Sequence, residues 1–484
     1  MDGASTTGPA LLAAAPRRDL RLLLLVPFVA VAVVALLQLP WAPLGDDWKL
    51  YVDFHGMAAR KAVLVNTTAE EGRRFRPVCY LLVWLEQSYL GLPFALSKAI
   101  GLGFLAWAGA SLAGLLRRLG AARLTAVLVG TLYCLHPALA EVHGWASTRV
   151  DQMAAAFALA ALCMVLDRRP LLAGLLWLAA FGSKEAAYPL LVAAPLLSGR
   201  LRDLVPPGLA FAAIMIWKLR AVGVVTGGLW GLILQVPLHV QLQGWLGYLG
   251  PWLLYPRSSA APGPAVTALA LAWGVVLLTT LVAPLVRGLQ DRGGSGRRPR
   301  RLRVDPRLRL LALAALCLVV TGGVPYPPDL AGGRLWTLPL AFALGAALLR
   351  ARPGRLLALC LLSLPLLHAN LAPYREADRI MADTLAVLAR EVPAHDGAVR
   401  IHGLPDLHGP VPLFALMPDV YMRGFDEEGR PTEDRPLVTT ADMESADPEG
   451  WVMAEQRWRA FQDAADRKIA YWRWDPAAGR VRRY

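Results

Sequence analysis

"LLLLVPFVAVAVVALLQLPWAPLGDDWKL" (residues 22–50) is the stretch that decides the fold. Residues 22–40 carry no charge and are about as long as a helix must be to cross a hydrocarbon layer of roughly 30 Å. Arg17, Arg18 and Arg21 precede the run, and Asp46 and Asp47 follow it, where such a helix would reach water. A secretory signal peptide has a similar profile. "LQLPWAP" offers no small-x-small cleavage site, so the run reads as an anchor that stays in the membrane.

The pattern recurs along the chain. Of 484 residues, 56% are hydrophobic, and the mean hydropathy is +0.43. That is more apolar than an ordinary soluble protein. Further apolar runs lie near 93–115, 122–138, 149–166, 170–182, 186–198, 204–222, 264–286, 308–324, 334–350 and 355–371. With the first run they predict an all-α polytopic membrane protein of about 11 transmembrane helices over residues 1–371, with a first outer loop at 41–92. The region 229–256 is apolar but broken by Pro237, Gly244, Gly247, Gly250 and Pro251, and reads as an interfacial or re-entrant segment. Residues 372–484 are charged and patterned like a soluble chain. "IAYWRWDPAAGRVRRY" (469–484) reads as strand, turn, strand, so a small α/β domain is expected there.

The net charge is +14, with 50 Lys and Arg residues. In a soluble protein such an excess suggests nucleic acid. Here the arginines sit in short loops between apolar runs: Arg117, Arg118 and Arg123; Arg168 and Arg169; Arg200 and Arg202; the basic segment 287–309; and Arg350, Arg352 and Arg355. Threading the runs puts all of these on the side of the N-terminus. The excess of arginine makes that side cytoplasmic, so the charge records topology and no nucleic-acid partner is implied. The expected location is the inner (plasma) membrane, with the C-terminal domain outside the cytoplasm. Cys79, Cys134, Cys163, Cys317 and Cys360 show no CxxC or metal spacing and read as packing residues.

The opposite side carries different chemistry. The first outer loop holds Asp46, Asp47 and Arg76; the second, "HPALAEVHGWASTRVD", holds His136, Glu141, Arg149 and Asp151; the third, "GSKEAAYP", holds Lys184 and Glu185; a fourth holds Arg334. Ionisable groups beside a membrane are costly unless they pair or line a wet cavity. One such cluster is an ordinary solvated loop, but four on one side suggest a site. A carboxylate can serve as general base to a hydroxyl, and Lys and Arg can hold a phosphate. Together they suggest transfer from a lipid-linked donor to an acceptor outside.

In this order, "GDD" after the first run, then "FRP", "HPALAEV", "SKEAAYP" and "GRLWTLP", the chain resembles the polytopic C-type glycosyltransferases, the GT-C superfamily. The likeness covers about residues 20–375. The nearest members are bacterial relatives of the protein O-mannosyltransferases and of the transmembrane–tetratricopeptide O-mannosyltransferases. The resemblance implies a polyprenyl-phosphate sugar donor, Asp46 as the base that activates the acceptor, and Asp47 in support through orientation or a metal. It implies that Arg334 and Lys184 meet the donor phosphate, with Arg76 beside them. His136, Glu141, Arg149, Asp151 and Glu185 would shape the outer loops. The expected partners are membrane lipid, the polyprenyl-phosphate sugar and an acceptor protein, lipid or glycan. The carboxylates suit Mg²⁺ or Mn²⁺ by ligand type, but two carboxylates alone do not define a metal site. "RLWTLP" lacks the tyrosines that usually follow the late arginine of the family, and no tetratricopeptide array follows the membrane part. Three other readings stand beside this one: a lipid or polysaccharide transporter or flippase, a polymerase or ligase of surface glycan, and a non-catalytic membrane scaffold. A transporter would be expected to show repeated halves and polar groups at mid-membrane, and neither pattern is evident.

Overall fold

The computed structural model describes residues 17–38, 44, 47, 75–222, 237, 239, 263–292, 305–321 and 337–391. In the C-terminal part it describes 398–402, 407–408, 411–413, 438–440, 469–475, 478 and 480–483. Fourteen α-helices cover most of these residues: α1 Arg17–Leu36, α2 Pro77–Trp84, α3 Phe94–Arg118, α4 Arg123–Leu135, α5 Ala140–Gly144, α6 Arg149–Leu166, α7 Pro170–Ser183, α8 Ala193–Ser198, α9 Val205–Val222, α10 Pro264–Arg292, α11 Pro306–Thr321, α12 Thr337–Leu348, α13 Pro353–Asn370 and α14 Ala372–Glu391.

The chain is a predominantly helical membrane protein. Five helical stretches among the described residues are long and apolar enough to cross a membrane: Phe94–Arg118, Ala146–Leu166, Leu201–Ala221, Pro264–Val282 and Pro353–Thr384. A sixth forms if Arg123–Leu135 and Pro137–Gly144, which meet at a 45° bend, count as one broken span. Eleven spans are therefore not what the described residues show. Several of the predicted runs give helices too short to cross alone. The 14 residues of α7 rise only about 21 Å at 1.5 Å per residue. The run 186–198 breaks into a 3₁₀ helix, Glu185–Val192, followed by α8. Pro189 accounts for the break, because it has no N–H to donate and its ring crowds the carbonyl four residues back.

The outward surfaces of the helices fit a lipid environment. Leu171, Leu201, Leu209 and Leu361 are each more than 60% exposed, an arrangement that water would penalise. The interior is built from small residues and leucine. Helix α3 buries Gly101, Ala106, Gly109, Ala110 and Ala113 against its neighbours, so backbones approach closely where no hydrophobic force distinguishes helix from lipid.

Contacts between helix ends sort the bundle into two poles. At one pole Arg118, at the end of α3, grips Asp167, just beyond α6, at 2.6 and 2.8 Å. Thr125 in the first turn of α4 donates to the Ala351 carbonyl, and Arg309 of α11 donates to that of Leu197. At the other pole Lys98 of α3 donates to the Gly144 carbonyl, Lys184 beyond α7 pairs with Asp151 of α6, and Asn370 of α13 donates to the Pro137 carbonyl. Arg117, Arg118, Arg168, Arg169, Arg350 and Arg352 sit at the first pole, in agreement with the charge threading.

One segment departs from the sequence expectation. The first outer loop, 41–92, is not all loop. It contains α2 and a π turn, Leu85–Tyr89. After the last predicted run, α13 runs into α14 with one intervening residue. Strands beyond α14 are β1 Ala398–His402, β2 Leu407–His408, β3 Val411–Pro412, β4 Val438–Thr440, β5 Ile469–Asp475 and β6 Arg480–Arg483. β1 lies between β4 and β5, parallel to both, and β6 pairs antiparallel with β5, Trp472 opposite Arg483 and Asp475 opposite Arg480. β2 and β3 form a separate antiparallel pair.

Candidate functional site

The mixed-charge pole gathers residues from four stretches of sequence. Its centre is the turn between α5 and α6, where a 3₁₀ turn, Ala146–Thr148, presents backbone N–H groups with no helical acceptor. Asp47 supplies that acceptor. Its Oδ1 receives Ser147 N and Ser147 Oγ at 2.6 Å each. Its Oδ2 receives Leu44 N at 3.2 Å and Ala146 N at 3.3 Å. Trp145 Nε1 donates back to the Leu44 carbonyl at 3.0 Å. The segment around Asp47 is thereby tied to the turn at two points. Burial pushes the Asp47 carboxyl up to about 6, against the pull of Ser147, the Leu44 N–H and the Lys98 ammonium.

Arg149 follows in the first turn of α6 and is 4% exposed. Its Nη1 meets Glu86 Oε2 at 2.6 Å, and its Nη2 donates to the Ser97 carbonyl and, at 2.6 Å, to Ser97 Oγ. Ser97 Oγ also donates to Glu86 Oε2 at 2.5 Å. Glu86 sits in the π turn that extends α2, a kind of local widening that re-aims a side chain inward. A small, partly open cleft lies between Asp47, Ser147, Arg149, Ser97 and Cys79. The room it leaves for a small molecule is about that of one water. It is too small to enclose a sugar. Burial raises the Cys79 thiol to about 11, so it is a protonated wall residue and no nucleophile.

Two more ion pairs complete the pole. Lys184 Nζ lies 2.5 and 2.6 Å from the two Asp151 oxygens. Arg76, just before α2, places Nε 3.3 Å from Glu185 Oε2. Burial alone would make Arg76 less basic, but the Glu185 carboxylate more than reverses this and holds it as a fixed cation. The 3₁₀ helix that carries Glu185 is set in place by Tyr188, whose ring meets Phe181 of α7 at 5.8 Å and Phe211 of α9 at 5.4 Å.

The structure thus brings together Asp47, Arg76, Arg149, Asp151, Lys184 and Glu185. His136 takes a structural post: its Nδ1 accepts Ala138 N at 3.2 Å, capping the 3₁₀ turn Pro137–Leu139, and its ring packs on Trp273. Glu141 is buried in α5. Asp46 and Arg334 lie outside the described residues. Asp47 does not fit a metal. A carboxylate has about four acceptor positions, and all of them face N–H or O–H donors. Among the described residues no three His, Cys, Asp or Glu side chains converge as metal ligands.

Sequence reasoning missed Glu86, Ser97 and Lys98. The signal was present, because a lone charge inside an apolar helix is expensive and marks an interior partner. "VWLEQSYL" and "ALSKAIGL" each carry one such charge. No protein-family model matches the chain, and no curated protein matches it.

Proposed function

We propose that this chain is an integral membrane glycosyltransferase. It moves a sugar from a polyprenyl-phosphate donor to an acceptor hydroxyl at the pole built around Asp47 and Arg149. The observation that carries the reading is the segregation of charge. One pole is dominated by arginine, its Asp167 and Asp305 each paired with one, and the other gathers acids and bases from four separate stretches around a small cleft. Arginine excess assigns the first pole to the cytoplasm, so the reaction takes place on the extracytoplasmic side of a plasma membrane. The C-terminal strands and α14 then belong to an outer α/β part, a reading supported by the packing of α14 on β2, β3 and β6.

In this scheme Asp46 removes the proton from the acceptor hydroxyl. The oxygen attacks the anomeric carbon from the face opposite the phosphate. The bond from that carbon to the phosphate oxygen breaks, its electron pair leaves with the polyprenyl phosphate, and the anomeric configuration inverts. The leaving group is already an anion, so it needs charge stabilisation more than protonation. Arg334 is the cation assigned to it. Lys184 and Arg76 are each matched by a carboxylate, so they orient the walls of the site and add little net field. Asp47 holds the loop that carries Asp46, and no step is assigned to a metal.

The test uses purified protein in lipid discs, a panel of radiolabelled polyprenyl-phosphate sugars, and the Asp46→Asn variant. Release of sugar from one donor by wild type, absent in the variant, is the expected result. A folded wild-type protein that neither releases sugar from any of these lipids nor binds one would overturn the proposal.

A further inference from the structure

Helix α9 starts just after the Leu197 carbonyl that Arg309 holds at the arginine pole, and one of its faces climbs toward the mixed-charge pole. Three contacts mark the way. The Phe211 ring meets Tyr188 at 5.4 Å. A Cβ on Gly182 of α7 would lie 3.3 Å from Ile214 Cδ1. Trp217 meets Phe75 edge-on at 5.4 Å. Lys218 comes next, four residues after Ile214 and so on the same inward face. Phe75 is followed directly by Arg76, and Gly182 is two residues from Lys184. Lys218 is thereby carried to the corner where Arg76 pairs with Glu185 and Lys184 with Asp151. It is 1% exposed, about one turn from the end of α9, and among the described residues it makes no hydrogen bond and no ion pair. Its neighbours Ile216 and Leu219 are 55% and 50% exposed, so lipid lies against this end of the helix.

We propose that Lys218 binds the phosphate of a lipid whose chain lies against α9. The first reason is charge. Arg76, Lys184 and Lys218 stand in this corner with two carboxylates, Asp151 and Glu185, and each carboxylate already holds one of the other two cations. One positive charge is left over, and a phosphodiester carries one negative charge. The second is burial. An uncompensated buried charge is costly, and an ionisable side chain inside a spanning helix marks a ligand or a partner. Lysine meets phosphate as a point charge. The third is the state of the wall. Glu185 and Tyr188 are three apart in a 3₁₀ helix and so share a face. Glu185 Oε1 and the Tyr188 hydroxyl both lack hydrogen-bond partners. They suit a guest that both accepts and donates, as a phosphate carrying a sugar does. The position near the end of α9 is the depth at which a lipid in that leaflet carries its phosphate. The site itself does not depend on any reaction, whereas its assignment to the sugar donor rests on the proposed function.

Native mass spectrometry of the full-length protein, released from detergent, reads bound lipid directly. Three probes are compared: a polyprenyl phosphate, the uncharged polyprenol of the same length, and phosphatidylglycerol. Wild type is expected to hold the polyprenyl phosphate about tenfold or more tighter than the polyprenol, the scale of a charge-assisted contact. Lys218→Met and Lys218→Gln should remove that preference, Lys218→Arg should keep most of it, and the exposed neighbour Arg220→Gln should behave as wild type. Melting of each variant in lipid discs shows which are folded. Lys218-dependent retention of phosphatidylglycerol without that of polyprenyl phosphate would keep the phosphate site and assign it to a phospholipid headgroup, which takes it away from the donor. A wild type that holds both phosphate lipids no better than the polyprenol overturns the proposal without recourse to a variant. So does a folded Lys218→Met or Lys218→Gln protein that keeps the full preference. None of these readings uses sugar release, so the proposed reaction can fail while the site stands.

Discussion

Glu86 and Arg149 form a buried pair in which each side chain also meets Ser97, at 2.5 and 2.6 Å. The second oxygen of Glu86 has no hydrogen-bond partner, so this carboxylate depends on the guanidinium for most of its compensation. Two variants separate charge from packing. Glu86→Gln leaves the Arg149 charge buried and unmatched, and should destabilise the fold by about 3–5 kcal/mol. Adding Arg149→Met removes the orphaned charge and should recover most of that loss, because an apolar pair of similar volume can replace a buried ion pair at little cost. Unfolding of both proteins in lipid discs decides the matter, and equal stability of single and double variants would sink the argument. The same residues show what the sequence does and does not reveal. Arg149, Asp151 and Lys184 were visible as charges next to apolar runs. Their partners were not, since an ion pair between residues 86 and 149 leaves no local pattern. Nor could spacing tell that the second of two adjacent acids, Asp47, is occupied by four donors.

Helices α3 and α4 cross at glycines. A Cβ on Gly109 would lie 2.7 Å from the Gly130 carbonyl oxygen, and one on Gly130 would meet the Gly109 carbonyl just as closely and the Ala113 Cβ at 3.1 Å. Backbone faces backbone there, so neither neighbour can yield by turning a side chain. Gly130→Ala should push the helices apart and destabilise the bundle by about 1–3 kcal/mol. Gly103, on the same α3 but with nothing within 4 Å of an added Cβ, is the comparison. Gly103→Ala should leave stability unchanged or raise it, since alanine favours a helix over glycine. Equal effects at the two sites would argue against a tight crossing. Elements of this kind were legible in the sequence to within a few residues, because a long apolar run admits little but a helix. The run near 93–115 became α3 and the run near 149–166 became α6. The failures have local causes: Pro189 turned one expected span into a 3₁₀ helix, and α2, at 8 residues, was too short to stand out from the loop containing it.

At the scale of the whole molecule, the two poles make opposite demands on the surroundings. Among the described residues the arginine pole has two exposed acid–base contacts, Arg118 with Asp167 and Arg350 with Asp305, and it also presents cations such as Arg168 and Arg169 to solvent. Translocating such loops is disfavoured, so the arginine pole should stay in the cytoplasm. The opposite pole shows Tyr89, 73% exposed, and Leu90, 53% exposed, at the turn after α2. All five native cysteines are buried, which leaves a quiet background for labelling. Arg169→Cys and Tyr89→Cys, each introduced alone, place a thiol at one pole or the other without touching the ion pairs. In intact cells a membrane-impermeant maleimide should label Tyr89→Cys and spare Arg169→Cys, and permeabilised cells should label both. The reverse pattern would keep the two-pole bundle but turn it over in the membrane, putting the proposed reaction on the wrong side for an outer acceptor. Labelling of both in intact cells would mean that the poles do not lie on opposite sides of the bilayer. The alternation of helix ends would then have to come from a fold that does not cross it.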